Sequence, residues 1–213
     1  MLAMKNLVII GARGFGREVA DWAKDCRGYG EDFCIKGYLD DKKNALDGFG
    51  DYPPIIGSVE DYEFKADDVF VVALGSPVWK RKYAELALAK GGKPYTLIHK
   101  LATVGAHSKL GVGCLIQSGV RVSVDCEIGD FVTLLSYAVF GHDVRIGSFS
   151  HVGAFGFMGG FSSLGECVEM HPRASVLPHK KIAASTVVGA GSVCIRNVSR
   201  PGTTVFGSPA KEI

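Results

Sequence analysis

From Val104 to Ser199 an apolar residue returns at every sixth position, from Val104, Leu110 and Ile116 to Ile182, Val188 and Cys194, without one insertion. Sixteen blocks of six result, and all sixteen open on an apolar side chain. The second position is glycine nine times, and the fifth is nearly always small or β-branched. One inward residue per six predicts short flat strands joined by tight glycine corners, with three blocks, about 18 residues, to a coil. Each coil buries its apolar row only by stacking on the next, so the array predicts a prism with covered ends.

The first hundred residues follow a different pattern. Leu7 to Ile10 is a short apolar run that passes through GARGFGREV into a helical spacing at Val19, Ala20, Trp22 and Ala23. Further strands are expected at Cys34 to Leu39, Val69 to Leu74 and Tyr95 to Ile98. A helix is expected from Trp79 to Lys90, stopped by Gly91-Gly92. Between Asp51 and Ser58 the chain reads as turns and a break. This order predicts a small parallel Rossmann-like α/β domain over residues 1–100, followed by a solenoid domain with a C-terminal tail over 101–213. The α/β domain should cover one end of the prism, and Arg200 to Ile213 the other.

The charge is nearly balanced, 24 basic against 22 acidic residues, which demands neither nucleic acid nor an acidic membrane as partner. Six cysteines form no C-x-x-C pair and suit buried reduced thiols. Only four apolar residues separate Met1–Lys5 from Gly11, too few for a signal-peptide core, and the longest apolar run is Val69 to Leu74. A soluble cytoplasmic protein is expected.

Two features offer chemistry. Glycines 11, 14 and 16 between a strand and a helix suit either a phosphate at the helix N-terminus or a turn that binds nothing. Asp40 and Asp41 end the second strand where α/β folds touch a nucleoside, and where turns also favour Asp. A single Rossmann-like half leaves no second half for a dinucleotide.

GARGFG at 11–16, GYLDD at 37–41, VVALGS at 71–76, LIHK at 97–100, HDVRIG at 142–147, HVG at 151–153, VGAGSV at 188–193 and VFGSPAKEI at 205–213 span nearly the whole chain. In this order they resemble the sugar O- and N-acyltransferases of the sialic acid O-acetyltransferase type, which include bacterial enzymes that acetylate UDP-linked amino sugars. The resemblance implies a left-handed parallel β-helix, a homotrimer with active sites at subunit boundaries, acetyl-CoA as donor and a nucleotide sugar as acceptor. His142 matches the family's general base and Asp143 its carboxylate partner. His151 matches a residue that contacts acetyl-CoA near the thioester, and Pro172 and Ala190 fall at further donor contacts. Ser136, Ala154, Pro172 and Ala190 recur every 18 residues, a row of small side chains along which a pantetheine arm could lie.

For the acceptor, Arg13, Gly14, Phe15, Asp40, Asp41 and Gly75 converge at the carboxyl ends of strands, the usual ligand crevice. Gly141 stands where many relatives carry a second acid, and Leu135 and Tyr137 are bulkier than their counterparts. The reading is therefore an acetyl-CoA-dependent acetyltransferase of a nucleotide-linked amino sugar in glycan synthesis. The alternatives are an inactive nucleotide-sugar-binding scaffold and a zinc hydratase. His107, His142, His151, His171 and His179 do not match the ligand spacing of the zinc-dependent relatives, so no metal is expected.

Overall fold

The computed structural model describes residues 4–213; Met1, Leu2 and Ala3, where the N-terminal stretch discussed above begins, lie outside the described residues. Strands β1 (Lys5–Ile10), β2 (Phe33–Leu39), β3 (Ile55–Gly57), β4 (Asp68–Val72) and β5 (Lys93–Pro94) form one parallel sheet in the order β3-β2-β1-β4-β5. Helix α1 (Gly14–Ala23) follows β1, and α2 (Pro77–Ala89) follows β4. The chain winds outward in opposite directions from β1, so β1 and β4 flank the switch point at which open α/β sheets leave a crevice. Strand β3 replaces part of the expected turn region; three residues are too few to show a strand period. The strand expected at Tyr95–Ile98 is divided. Lys93–Pro94 joins β4, whereas Leu97–Ile98 pairs with Leu115–Ile116 in the solenoid. Ile98 lies six residues before Val104 and already keeps the phase of the repeat.

Sixteen two-residue strands, from Thr103–Val104 to Val193–Cys194, each end on the apolar first residue of a block. Arg121 pairs with Val139 and Val139 with Phe157, so one coil takes 18 residues, and the coils stack into three parallel sheets. The first and fifth positions together fill the prism. Val120, Val132, Val144 and Val168 sit at fifth positions and are fully buried. Several polar fifth residues bond to the next coil, as Cys114 Sγ does to Gly129 O (3.2 Å), Cys126 Sγ to Gly141 O (3.2 Å) and Ser150 Oγ to Gly165 O (3.0 Å).

The corners differ from the expectation. The left-handed backbone falls on the fourth position, mostly at non-glycine residues such as Asp143 (φ 58°) and Phe161 (φ 59°). From Asp125 onward each such residue donates its amide N–H to the preceding coil, as in Asp143 N to Val124 O (3.1 Å) and Phe161 N to His142 O (3.1 Å), which offsets the ~1–2 kcal/mol cost of that conformation. The second-position glycines are required for space. A Cβ on Gly147 would lie 2.5 Å from the Gly165 carbonyl carbon, and one on Gly105 2.6 Å from that of Ser123.

The α/β domain lies along the side of the prism as well as near its beginning. Leu97 and Leu115, outward on one sheet face, are buried with Leu7, Ile9 and Val71. Phe131 stacks between Phe70 of β4 (6.0 Å) and Phe149 of the next coil (5.3 Å). Apolar residues at these outward positions make the face a docking surface. The opposite end is covered as expected: Thr204–Phe206 pairs with Val187–Val188, Lys211–Glu212 folds back on it, and Val205 is buried. All six cysteines are free; burial pushes the Cys26 and Cys114 thiols up to about 12. Among the described residues no helix is long and apolar enough to cross a membrane.

Candidate active site

At the carboxyl ends of β1, β2 and β4 lies a cleft of about 510 Å³, lined by Arg13, Phe15, Asp40, Asp41 and Gly75 together with Ser76, Trp79 and Tyr83. Five of the six expected acceptor residues thus share one crevice, and Gly14 lies between two of them in the chain. The three loop glycines divide by cause. Gly11 has φ 98°, and a Cβ on Gly16 would lie 1.9 Å from the Gly11 carbonyl oxygen, so both serve the turn itself. At Gly14, the first residue of α1, a Cβ would meet nothing within 4 Å. Its amide end is open to a ligand. Gly75 is equally unobstructed, and Ser76, the N-cap of α2, makes no capping bond with its hydroxyl. Neither helix carries an acid in its first turn, which leaves two positive dipole ends facing the cleft.

The two acids differ. Asp40 accepts the Ala12 amide through Oδ2 (2.9 Å) and the Lys42 amide through Oδ1 (2.9 Å), which braces the glycine loop. Arg13 Nε approaches Asp40 Oδ2 at 4.0 Å, while most of the Arg13 side chain stays exposed. Asp41 is more open and accepts only the Tyr83 hydroxyl (2.8 Å). Trp79, Tyr83 and Ser76 are the residues that sequence reasoning missed. Their signal was an aromatic in the first turn of a helix opened by Gly-Ser-Pro. Trp79 is half exposed over the cleft and offers a flat face for stacking.

His142 and Asp143 lie elsewhere, on a corner of the prism. His142 Nδ1 and Asp143 Oδ2 are 2.8 Å apart, and both side chains are open to solvent. An ionised carboxylate only accepts, so the contact places the proton on Nδ1 and leaves the lone pair on Nε2. The ring lies above Gly160 one coil on, where a Cβ would fall 2.8 Å from Cε1 and Nε2. Phe161 meets it edge-on at 5.1 Å and is itself stacked on His179. Gly141, the residue before His142, lines a groove of about 450 Å³ with Arg121, Ser123 and Val139. A Cβ on Gly141 would lie 2.7 Å from the Gly160 amide nitrogen, so no acid fits there.

His151 projects from the docking face. Its ring meets Phe15 of the glycine loop at 6.2 Å, and Nδ1 is enclosed without a hydrogen-bond partner. Burial first, and then the charges of Lys80 and His171, push its imidazole down to about 3, so it is neutral at physiological pH. Pro172 and Ala190 are exposed on a third edge. The Pro172 carbonyl, its only polar group, accepts the Gly191 amide at 3.0 Å, and the carbonyls of Ser136 and Ala154 are engaged in the same way. Beside this row Tyr137 stacks on Phe155 (5.4 Å), with Arg173 over the far ring. Within one chain, then, the cleft gathers the acceptor residues, Phe15 links it to His151, and the His142–Asp143 pair is not part of its lining. Among the described residues no three His, Cys, Asp or Glu side chains group closely enough to hold a metal ion.

Residues 6–87 match the PglD N-terminal domain family. The acetyltransferase domain of PglB from Neisseria gonorrhoeae FA1090 is 27% identical over 98% of this chain and 100% of that one, with a TM-score of 0.86. PerB from Caulobacter crescentus, solved in complex with CoA and GDP-perosamine, is 28% identical over 100% of this chain and 99% of that one, with a TM-score of 0.87. WeeI from Acinetobacter baumannii AYE shares the fold at 21% identity, covering 99% of this chain and 100% of that one, with a TM-score of 0.75.

Proposed function

We propose that this chain, a hexapeptide-repeat protein that joins a PglD N-terminal domain to the left-handed β-helix of the sugar N-acetyltransferases, moves an acetyl group from acetyl-CoA to a nucleotide-linked amino sugar. The observation that carries this reading is the 2.8 Å contact between His142 Nδ1 and Asp143 Oδ2, which leaves Nε2 of an exposed side chain free as a base. An ammonium group has no lone pair, so the acceptor must lose a proton before or during attack, and Nε2 takes it. The amine then attacks the thioester carbonyl directly. Backbone N–H groups carry the developing oxyanion; as it collapses the C–S bond breaks, the new amide nitrogen gives up its extra proton, and the departing sulfur takes one up, so that CoA leaves as the thiol.

Residues 1–100 hold the nucleotide sugar and 101–213 the donor. The α1 and α2 N-termini take the diphosphate, Trp79 stacks on the base, and Asp41 accepts from the nucleoside. Asp40 acts by bracing the loop. His151, kept neutral, serves as a hydrogen-bonding group toward the donor and not as a second base. Pro172 and Ala190 offer van der Waals contact along the pantetheine arm. The working assembly is a homotrimer in the cytoplasm, where acetyl-CoA is available. Val139, Phe157 and Phe161 are exposed apolar residues close to the His142 corner, and a second copy covering them would bring its cleft to that corner.

The scaffold alternative was motivated by Gly141. The close approach of Gly160 accounts for the glycine, and Asp143 supplies the carboxylate from the other side. The test is thiol release from acetyl-CoA with a panel of UDP-, GDP- and dTDP-linked amino sugars. Release with at least one sugar is expected, and none with any sugar would return the chain to the scaffold reading.

A further inference from the structure

Lys80 stands out among the buried groups because the chemistry above does not use it. It is 1% exposed, and its Nζ donates to Thr133 Oγ1 (2.9 Å), Ser150 O (3.3 Å) and Phe149 O (3.5 Å). These three acceptors match the three donors of an ammonium, and all belong to the solenoid. None is a carboxylate, so the amine is buried without a counter-charge. Burial pushes its pKa down to about 7. An apolar side chain would be cheaper at such a place. Removing the amine would not orphan Ser150 O, which also accepts the Thr133 amide at 3.0 Å.

The position of Lys80 gives the cation a purpose. Its neighbour Trp79 and the N-cap Ser76 line the nucleotide cleft, as does Tyr83 one turn on. Thr133, at the other end of the contact, is the register partner of His151, which Phe15 of the glycine loop touches. The cleft therefore grips two adjoining solenoid strands, through α2 by Lys80 and through the α1 loop by Phe15. Arg81 adds a contact on the rim, pairing with Glu166 (2.5 Å) over the Phe149 ring.

We propose that Lys80 is a positioning residue, a polar strut that fixes the nucleotide-sugar cleft in one register against the solenoid of its own chain and so, through the assembly, against the acetyl-transfer edge of a neighbouring copy. A hydrophobic contact between the domains would hold at several offsets, whereas three directed bonds hold at one. The inference rests on the acetyl-transfer reading above. It assigns Lys80 no contact with either substrate, so each half-site keeps its own affinity when the strut is cut, and only the reaction between them suffers.

The experiment compares Lys80→Met, Lys80→Arg, Thr133→Val and Thr133→Ser. Calorimetric binding of UDP, GDP and CoA is read alongside kcat at saturating donor and acceptor. Lys80→Met should bind each probe within about twofold of the parent yet lose roughly tenfold to a hundredfold in kcat, the scale of a misplaced but bound reactant. Thr133→Val should shift kcat in the same direction, and Thr133→Ser and Lys80→Arg should recover part of it. Unchanged kcat in Lys80→Met, or a loss of affinity that accounts for the whole defect, overturns the strut. If the parent transfers acetyl to no sugar, the functional reading fails by itself. Hydrogen exchange then decides the strut: Lys80→Met should speed exchange in α2 and at Thr133 and His151 while sparing β1, and unchanged exchange there overturns it.

Discussion

Two imidazoles nine residues apart hold opposite environments. His142 stands on an exposed corner with a carboxylate at 2.8 Å, whereas His151 lies against Phe15 with an unpartnered nitrogen and the Lys80 amine as its first charged neighbour. The first can accept a proton and be stabilised in doing so. For the second, protonation would create a buried charge beside Lys80. The same solenoid thus presents one histidine fit for base catalysis and one held neutral, and the difference comes from the coil position each occupies. The His142 corner faces solvent, while the docking face is covered by the α/β domain.

The sharpest way to break this contrast is to remove each ring in turn. His142→Ala should lower acetyl transfer by about 10³-fold or more while leaving the assembly and CoA binding intact, since general-base contributions run to ~10²–10⁴-fold. His151→Ala should act mainly on the KM for acetyl-CoA. Equal kcat losses in the two variants would end the division of roles. Asp143→Asn is expected to cost about 10²-fold in kcat, because an amide donating to Nδ1 moves the ring proton to Nε2 and removes the base. Carboxamide and carboxylate are nearly the same size, so an unchanged melting temperature should accompany the loss. Trp79→Ala should raise the KM for the nucleotide sugar about tenfold, consistent with ~1–3 kcal/mol for a base stacked on an aromatic ring, with kcat little altered. A normal KM would remove the stacking role.

The repeat was legible because every apolar block-first residue faces inward and its period admits no insertion. The corner conformation was not, since the left-handed fourth position is occupied by Asp, Phe, Tyr, His, Arg, Cys, Ser and Gly alike. What those residues share from Asp125 onward is a backbone hydrogen bond to the previous coil, which leaves no mark on side-chain identity. The acceptor cleft was legible through its glycine loop and its two acids. Helix α2 was legible as a helix but not in which residues it buries, because it inverts the usual pattern: Lys80 is buried while Val78 is 70% and Trp79 53% exposed. Ala84 and Ala87 pack on the sheet side, Trp79 turns to the cleft, and Lys80 reaches the solenoid. In a helix shared among three environments, a spacing that reveals the helix does not reveal what each side touches.

The last effect expected is in stability against pH, and it isolates His151. Its folded pKa of about 3 lies below the ordinary 6.5, so the unfolded chain binds a proton that the folded chain refuses. The stability gained from the neutral ring is complete above pH 6.5 and is lost as the pH falls from there toward 3. Lys80, depressed from 10.5 to about 7, acts by the same sign in the window above, between pH 10.5 and 7, and contributes no slope below it. Asp32, held below its usual 3.8 by the Lys5 hydrogen bond and then by that of Tyr95, matters only near and below that value. Between pH 6.5 and 4 the falling limb therefore belongs largely to His151. Chemical denaturation of the parent and of His151→Gln across that interval should give a shallower fall for the variant, which has no proton to refuse. Parallel curves would mean that the ring protonates in place, and with it would go the contrast with His142.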